Sequence, residues 1–198
     1  VRVVRKYTFD HVRVDELTDV RLVSLIRAIR PLYTWFAEGA TDEKIAGHIR
    51  CHSEAVLDIV TDGVGDCAAF AISYTELFEK KLVLYRDGTV VRDRSCGLYR
   101  ELVARSIERT NPDYLCAMTQ NPRVYELLQS VAVNGEIYPM SGLDVPSSIQ
   151  HIARHFCSAS TLSQETLIFR DFYQRIRKEG SFKSGRRSSS ERLFEHLG

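Results

Sequence analysis

Cysteine is sparse in this chain of 198 residues: Cys51, Cys67, Cys96, Cys116 and Cys157 are odd in number, form no Cys-x-x-Cys pair and do not interleave with histidine. That excludes a disulfide framework and a zinc-ribbon pattern, so the thiols read as reduced. Cys67 and Cys116 lie in apolar runs, where cysteine packs as a small hydrophobe, and no base is set beside Cys96 by sequence. An excess of one charge is lacking too. Lys and Arg number 27 against 26 Asp and Glu, a net charge of +1, so the whole chain has no electrostatic footprint for nucleic acid or an anionic membrane, and any polyanion site must be local. No apolar run is long enough to cross a bilayer, and residues 1–6 lack a signal-peptide core. The expectation is a cytoplasmic protein that meets no membrane.

What remains is globular: 44% hydrophobic and 27% charged, enough for one ordinary α/β domain with a full core. Residues 3–14 mix β-branched and charged side chains as a first strand. Leu22, Leu25, Ile26 and Ile29 then recur at helical spacing until Pro31 interrupts them, and Thr41 caps a second helix striped by Ile45, Ala46 and Ile49. His48 and His52 in that helix are four apart, but no Glu follows the first and no third ligand is evident. The pair reads as exposed, as do His151 and His155, and no metal is predicted.

A β-rich block follows at 55–60, 67–77 and 82–92, with short turns that predict antiparallel pairing. Asp87 and Gly88 interrupt its last run as either a hairpin turn or a glycine bulge within one long strand, with the bulge slightly ahead. A helix is expected at 98–109, carrying Glu101 and Arg105 as an i, i+4 pair, and a buried strand at 114–119. Strand, turn, helix and strand make a crossover, so 89–92 and 114–119 are expected to lie parallel. Asn121 caps the next helix with Pro122 in its first turn. A strand at 135–140, a helix at 146–156 and a closing strand at 165–173 complete the order. Beyond it, 174–198 is basic and Ser-rich, and is expected to be mobile.

The most informative stretch joins strand to helix: Arg94, Ser95, Cys96, Gly97, Leu98 and Tyr99. Backbone N–H groups at a helix start have no intrahelical partner and lie at the positive end of the macrodipole, and Gly97 lets an anion approach the main chain. That is a phosphate cradle.

Taken in order, residues 3–173 resemble the GNAT acyltransferase superfamily. Its turn reads Arg or Gln, two residues, Gly, one residue, then Gly or Ala. Arg94, Ser95, Cys96 and Gly97 match the first four positions, Val90 and Val91 match the preceding strand end, and the segment opening at Asn121 matches the helix after the parallel strand. The resemblance implies an α/β (α+β) fold: a mixed, mostly antiparallel sheet, helices on both faces and a splayed parallel strand pair, in a domain over 1–173 with 174–198 as its tail.

The resemblance also implies an N-acyltransferase, with acetyl-CoA or another acyl-CoA as co-substrate. Val90, Val91, Arg94, Ser95, Cys96, Gly97, Leu98, Tyr99 and Asn121 would hold the co-substrate. An amine of a small molecule or a protein would attack the thioester directly, and a backbone N–H would polarise its oxygen. Tyr125 would protonate the departing thiolate. A strand carboxylate would take the amine proton: Glu76, Glu79 and Asp87 are available, with Glu76 taken as the base. Tyr99 stands where the second small residue is expected, so its ring must turn away from the phosphates. The alternatives are a GNAT-fold module that binds acyl-CoA or a protein without turnover, and a factor that holds nucleic acid through the tail.

Overall fold

Alternating side chains draw five segments into one sheet. In Val56–Thr61, Leu57 and Ile59 face one layer while Asp58 and Val60 face the other, the period-two pattern of a strand packed on both sides. The strands are β1 (Thr8–Arg13), β2 (Val56–Thr61), β3 (Cys67–Phe78), β4 (Lys81–Val91) and β5 (Tyr114–Ala117), in the spatial order β1-β2-β3-β4-β5. The first three pairings are antiparallel and β4 with β5 is parallel. This computed structural model describes residues 7–93, 96–119, 121–132, 136–140 and 143–157, with Ser163 and Leu167. The chain divides into two compact units, Val1–Met118 and Thr119–Gly198.

In the first unit, α1 (Asp19–Phe36) and α2 (Asp42–Ile49) cover one face of the sheet. Each opens on a threonine: Thr18 accepts from Arg21 N–H and Thr41 from Lys44 N–H. Leu22, Ile26, Ile29, Ile45 and Ile49 pack on Leu57, Ile59, Phe70 and Ile72. Full burial of each large aliphatic chain is worth roughly 2 kcal/mol. On the opposite face α3 (Leu98–Thr110) lays Leu98 and Leu102 against Val60, Ala68, Ala69 and Ala71, where alanines let the helix approach closely.

Pro31 does not end the first helix, as its sequence position suggested; α1 runs through it to Phe36. Proline removes one backbone hydrogen bond and crowds the preceding turn, a loss of about 3 kcal/mol in a helix interior. Here Leu32 and Tyr33, each 4% exposed, hold the following turn in the core.

The parallel pairing forms in a different register from the expected one. Val83 to Arg86, not 89–92, lie beside Tyr114 to Ala117. The reason is local: Asp113 accepts from Leu82 N–H at 2.8 Å and from Lys81 Nζ at 3.1 Å, while its own N–H donates to the Leu82 carbonyl. These bonds fix the entry of β5 beside the start of β4.

The second unit contains α4 (Pro122–Val131), whose cap Asn121 accepts from Arg123 N–H, and α5 (Ser147–Phe156). No strand forms over 136–140; Pro139 there has no N–H for a ladder. His151 and His155 are exposed as expected. The closing strand expected at 165–173 and the tail at 174–198 lie outside the described residues, apart from Leu167. Among the described residues no helix is long and apolar enough to cross a membrane.

Candidate active site

The site begins with one residue too many. Ile72 pairs with Gly88 and Ser73 with Arg86, so Asp87 has no residue opposite it in β3 and bulges. Asp87 and Gly88 therefore form a bulge rather than a hairpin, because β4 continues to Val91. The ladder to β5 ends at Arg86 and Ala117. Past that point, among the described residues, β4 has a strand partner only on its β3 side. Bulges re-aim side chains and bend strands, and this one turns the Asp87 carboxylate toward α2.

Three groups meet there as a chain. Asp87 Oδ2 stands 2.8 Å from His48 Nε2, and His48 Nδ1 stands 2.6 Å from the Tyr33 hydroxyl. A carboxylate only accepts, so Nε2 carries the proton; neutral His48 then accepts at Nδ1 from Tyr33, and charged His48 donates at both ends. Both ring nitrogens are thus engaged. Cys51 Sγ, 3.5 Å away, also donates to Oδ2, so Oδ1 carries neither contact. The imidazole lies over the backbone of Gly88, where an added Cβ would rest 3.4 Å from Cε1 in ordinary contact. Tyr33 stacks on Phe70 at 5.8 Å, His52 stacks on Tyr74 at 4.1 Å, and Tyr74 meets Tyr85 at 5.2 Å.

The titration of these groups follows from their surroundings. Burial pushes the Asp87 carboxyl up, but hydrogen bonding and charge from His48, with help from Cys51, outweigh it and hold Asp87 below the ordinary carboxylate value. Burial, then Asp87 and Glu76, push the Tyr74 phenol up to about 12. Burial and Asp87 likewise raise the Cys51 thiol to about 11, which makes it a poor nucleophile. Tyr33 is raised by burial and Asp87. The site therefore combines an ionised carboxylate with protonated phenols.

The histidine pair is not the exposed pair expected. The His48 side chain is 16% exposed, and His52 is half-buried against Tyr74. The missed signal is spacing: residues 45, 48, 49 and 52 form one i, i+3, i+4, i+7 stripe, so the histidines share the face of Ile45 and Ile49. Among the described residues no group of three or more His, Cys, Asp or Glu could hold a metal ion. Glu76 lies opposite Val83, where β4 and β5 are still paired.

The cradle lies at the start of α3. Gly97 is its N-cap with φ of 84°, makes no side-chain cap, and has open space where a Cβ would stand. Leu98 is buried, and exposed Cys96 donates its thiol to the Asp93 carbonyl at 2.6 Å. Arg94 and Ser95 lie outside the described residues. Val90 and Val91 are half-buried, packing toward the α1/α2 layer and the α3 layer respectively. Tyr99 turns inward as required: its ring lies 5.7 Å from the Arg86 guanidinium carbon, and burial raises its phenol with partial offset from Arg86 and Thr89. In the second unit, buried Tyr125 donates to the Pro139 carbonyl at 2.6 Å, and burial raises its phenol.

On the α3 face Asp58, 6% exposed, accepts two bonds from Arg109 at 3.1 and 3.3 Å and one contact from His11 at 3.0 Å. A cavity of about 350 Å³ opens beside it, lined by Phe9, His11, Leu102 and Arg105 among others. It lies across the sheet from Asp87, so this hollow and the titratable cluster do not coincide.

No family model matches this chain, and no curated sequence matches it. Solved structures do. An aminoglycoside acetyltransferase from an uncultured soil metagenomic sample, in complex with sisomicin, is 10% identical with a TM-score of 0.51, over 71% of this chain and 97% of that one. The ribosomal-protein-alanine N-acetyltransferase of Brucella melitensis biovar Abortus 2308 is 15% identical with a TM-score of 0.50, over 71% of this chain and 99% of that one. A probable acetyltransferase is 12% identical with a TM-score of 0.50, over 70% and 97%. With its mostly antiparallel sheet and parallel β4–β5 pair, this chain has the fold of the GNAT acetyltransferases.

Proposed function

We propose that the chain is an acyl-CoA-dependent N-acyltransferase, with acetyl-CoA as its probe co-substrate and an amine as acceptor. The observation that carries the reading is the end of the β4–β5 ladder at Arg86, next to an ionised, unopposed Asp87. The cradle residues fit the co-substrate's pyrophosphate. The first-turn N–H groups of a 13-residue helix have no side-chain cap, and the space at Gly97 is open. When bound there, acyl-CoA supplies an activated thioester.

Asp87 Oδ1 accepts the proton released as the amine nitrogen bonds the acyl carbon, and a phenol protonates the sulfur that leaves. Asp87 is the better placed base and Glu76 the reserve, because Asp87 stands where β5 departs. His48 positions Asp87 through Oδ2 and does not touch the acceptor, since both its nitrogens are taken. Tyr125 is the proposed acid, in exchange for its bond to Pro139; Tyr74, protonated beside Asp87, is the phenol to compare with it. The acceptor, whether a small molecule or a protein, and the cytoplasmic location stay part of this proposal.

The test is thermal stabilisation by acetyl-CoA and release of free CoA with a panel of amines. Stabilisation is expected, and Gly97→Glu should abolish it because a carboxylate there repels pyrophosphate. Stabilisation without amine-dependent CoA release would leave a binding module. No stabilisation would sink the proposal.

A further inference from the structure

Arg86 carries a charge that the reaction above leaves unused. It precedes the bulged Asp87 in β4 and is 3% exposed. Its Nη2 donates to Thr89 Oγ1 at 2.7 Å, so one guanidinium bridges the residues on either side of Asp87 and Gly88. Its Nη1 donates to Ser106 Oγ of α3 at 3.2 Å. The guanidinium carbon also stands 5.7 Å from the ring of Tyr99, a residue of the first turn of α3. The same side chain therefore grips the bulge and the helix that begins at the cradle.

Its charge is incompletely matched. Arg86 Nε is buried with no partner among the described residues, and the neighbouring carboxylate, Asp58, accepts from Arg109, His11 and Ser106. A hydrophobic side chain of similar volume is often neutral or stabilising where a buried ion stands.

Resting on the acyl-CoA reading of the cradle, the geometry points to Arg86 as a positioning residue that couples the pyrophosphate cradle to the bulge at Asp87, with Tyr99 as its adaptor. Tyr99 in place of a small residue is then the handle by which the strand holds the cradle. Through the Tyr99 ring the guanidinium holds the first turn of α3, and its bond to Thr89 fixes the backbone from which Asp87 projects.

The experiment uses the full chain with Arg86→Met, Arg86→Lys and Tyr99→Leu. Acetyl-CoA affinity is measured by calorimetry, and kcat and KM by CoA release with an amine from the panel. Arg86→Met is expected to weaken acetyl-CoA binding roughly ten-fold and to lower kcat by a similar factor, the scale of lost bonds to a charged group. Arg86→Lys keeps the charge but not the fork, so it should recover binding more than kcat. Tyr99→Leu removes the ring that faces the guanidinium and should weaken binding by roughly three-fold.

A folded Arg86→Met chain with unaltered affinity and kcat overturns the coupling. If that variant does not fold, the other two decide, and unaltered constants in both overturn it. An unmodified chain that binds no acetyl-CoA removes the acyl-CoA reading and the coupling together, whereas binding that is indifferent to all three variants removes the coupling alone.

Discussion

Arg86 and Asp87 are consecutive residues whose side chains serve opposite faces of one sheet, and the two faces are built differently. On the α3 face Asp58 bonds to Arg109 and His11, and Arg86 bonds to the hydroxyls of Ser106 and Thr89. On the α1/α2 face Asp87 binds His48 and Cys51 through Oδ2 alone, leaving its other oxygen without these partners. A carboxylate bonded through both oxygens, as Asp58 is, is held in place; one with capacity to spare can exchange protons. The bulge makes the contrast possible, because an extra residue lets neighbouring charges turn to separate layers.

Asp87→Asn should give the largest effect on activity. Loss of a general base should reduce kcat/KM by roughly 10²–10³-fold, while calorimetric affinity for acetyl-CoA stays unchanged. An equal loss of affinity would show that Asp87 shapes the co-substrate site instead, and the contrast between faces would fail.

Asp58→Asn should act on stability instead. It leaves Arg109 and His11 without their carboxylate. With the Arg109 side chain 30% exposed, solvent screening should hold the loss to about 2 kcal/mol, below the range for fully buried pairs. Urea unfolding checks this, and CoA release per folded molecule should be unaltered.

His48→Gln should lower kcat by roughly ten-fold, because a positioning residue acts through Asp87. It should also move the acid limb of the pH profile. With His48, the folded carboxyl lies below its unfolded value, so the stabilisation is present above the unfolded value and is lost as pH falls through the folded one. Without His48 the burial effect dominates, and the limb shifts to higher pH. A limb that does not move would separate His48 from Asp87.

The smallest effect is spectroscopic. Tyr74, raised to about 12, should ionise late in an ultraviolet titration, and Asp87→Asn should bring that step to lower pH by removing one negative charge. Its sign is the reverse of the carboxylate's: the phenol's contribution to stability is full below its unfolded value and fades as pH rises toward 12.

The sequence made local features legible. Caps at Thr41 and Asn121, the Glu101–Arg105 pair, the antiparallel block and the helix start at Gly97 follow from neighbours within about one helical turn, where propensity and hydrogen bonding act directly. The errors were over longer range. Pro31 broke the pattern but not the helix, because core contacts at Leu32 and Tyr33 outweighed a local penalty. The β5 register depended on Asp113 meeting Leu82, residues far apart in the chain. His48 looked exposed because its partners, Tyr33 and Asp87, lie 15 and 39 positions away.

By itself, then, the sequence determined the order of elements from β1 to α4, the glycine-opened start of α3 and the presence of a bend at Asp87 and Gly88, since backbone sterics and short-range hydrogen bonds set each of these. Only the tertiary structure decided which carboxylate stands where the β4–β5 ladder ends, which histidine bonds it, and where Tyr99 places its ring. Those outcomes depend on which side chains a register and a helix face bring within about 3 Å, a distance that chain separation does not encode.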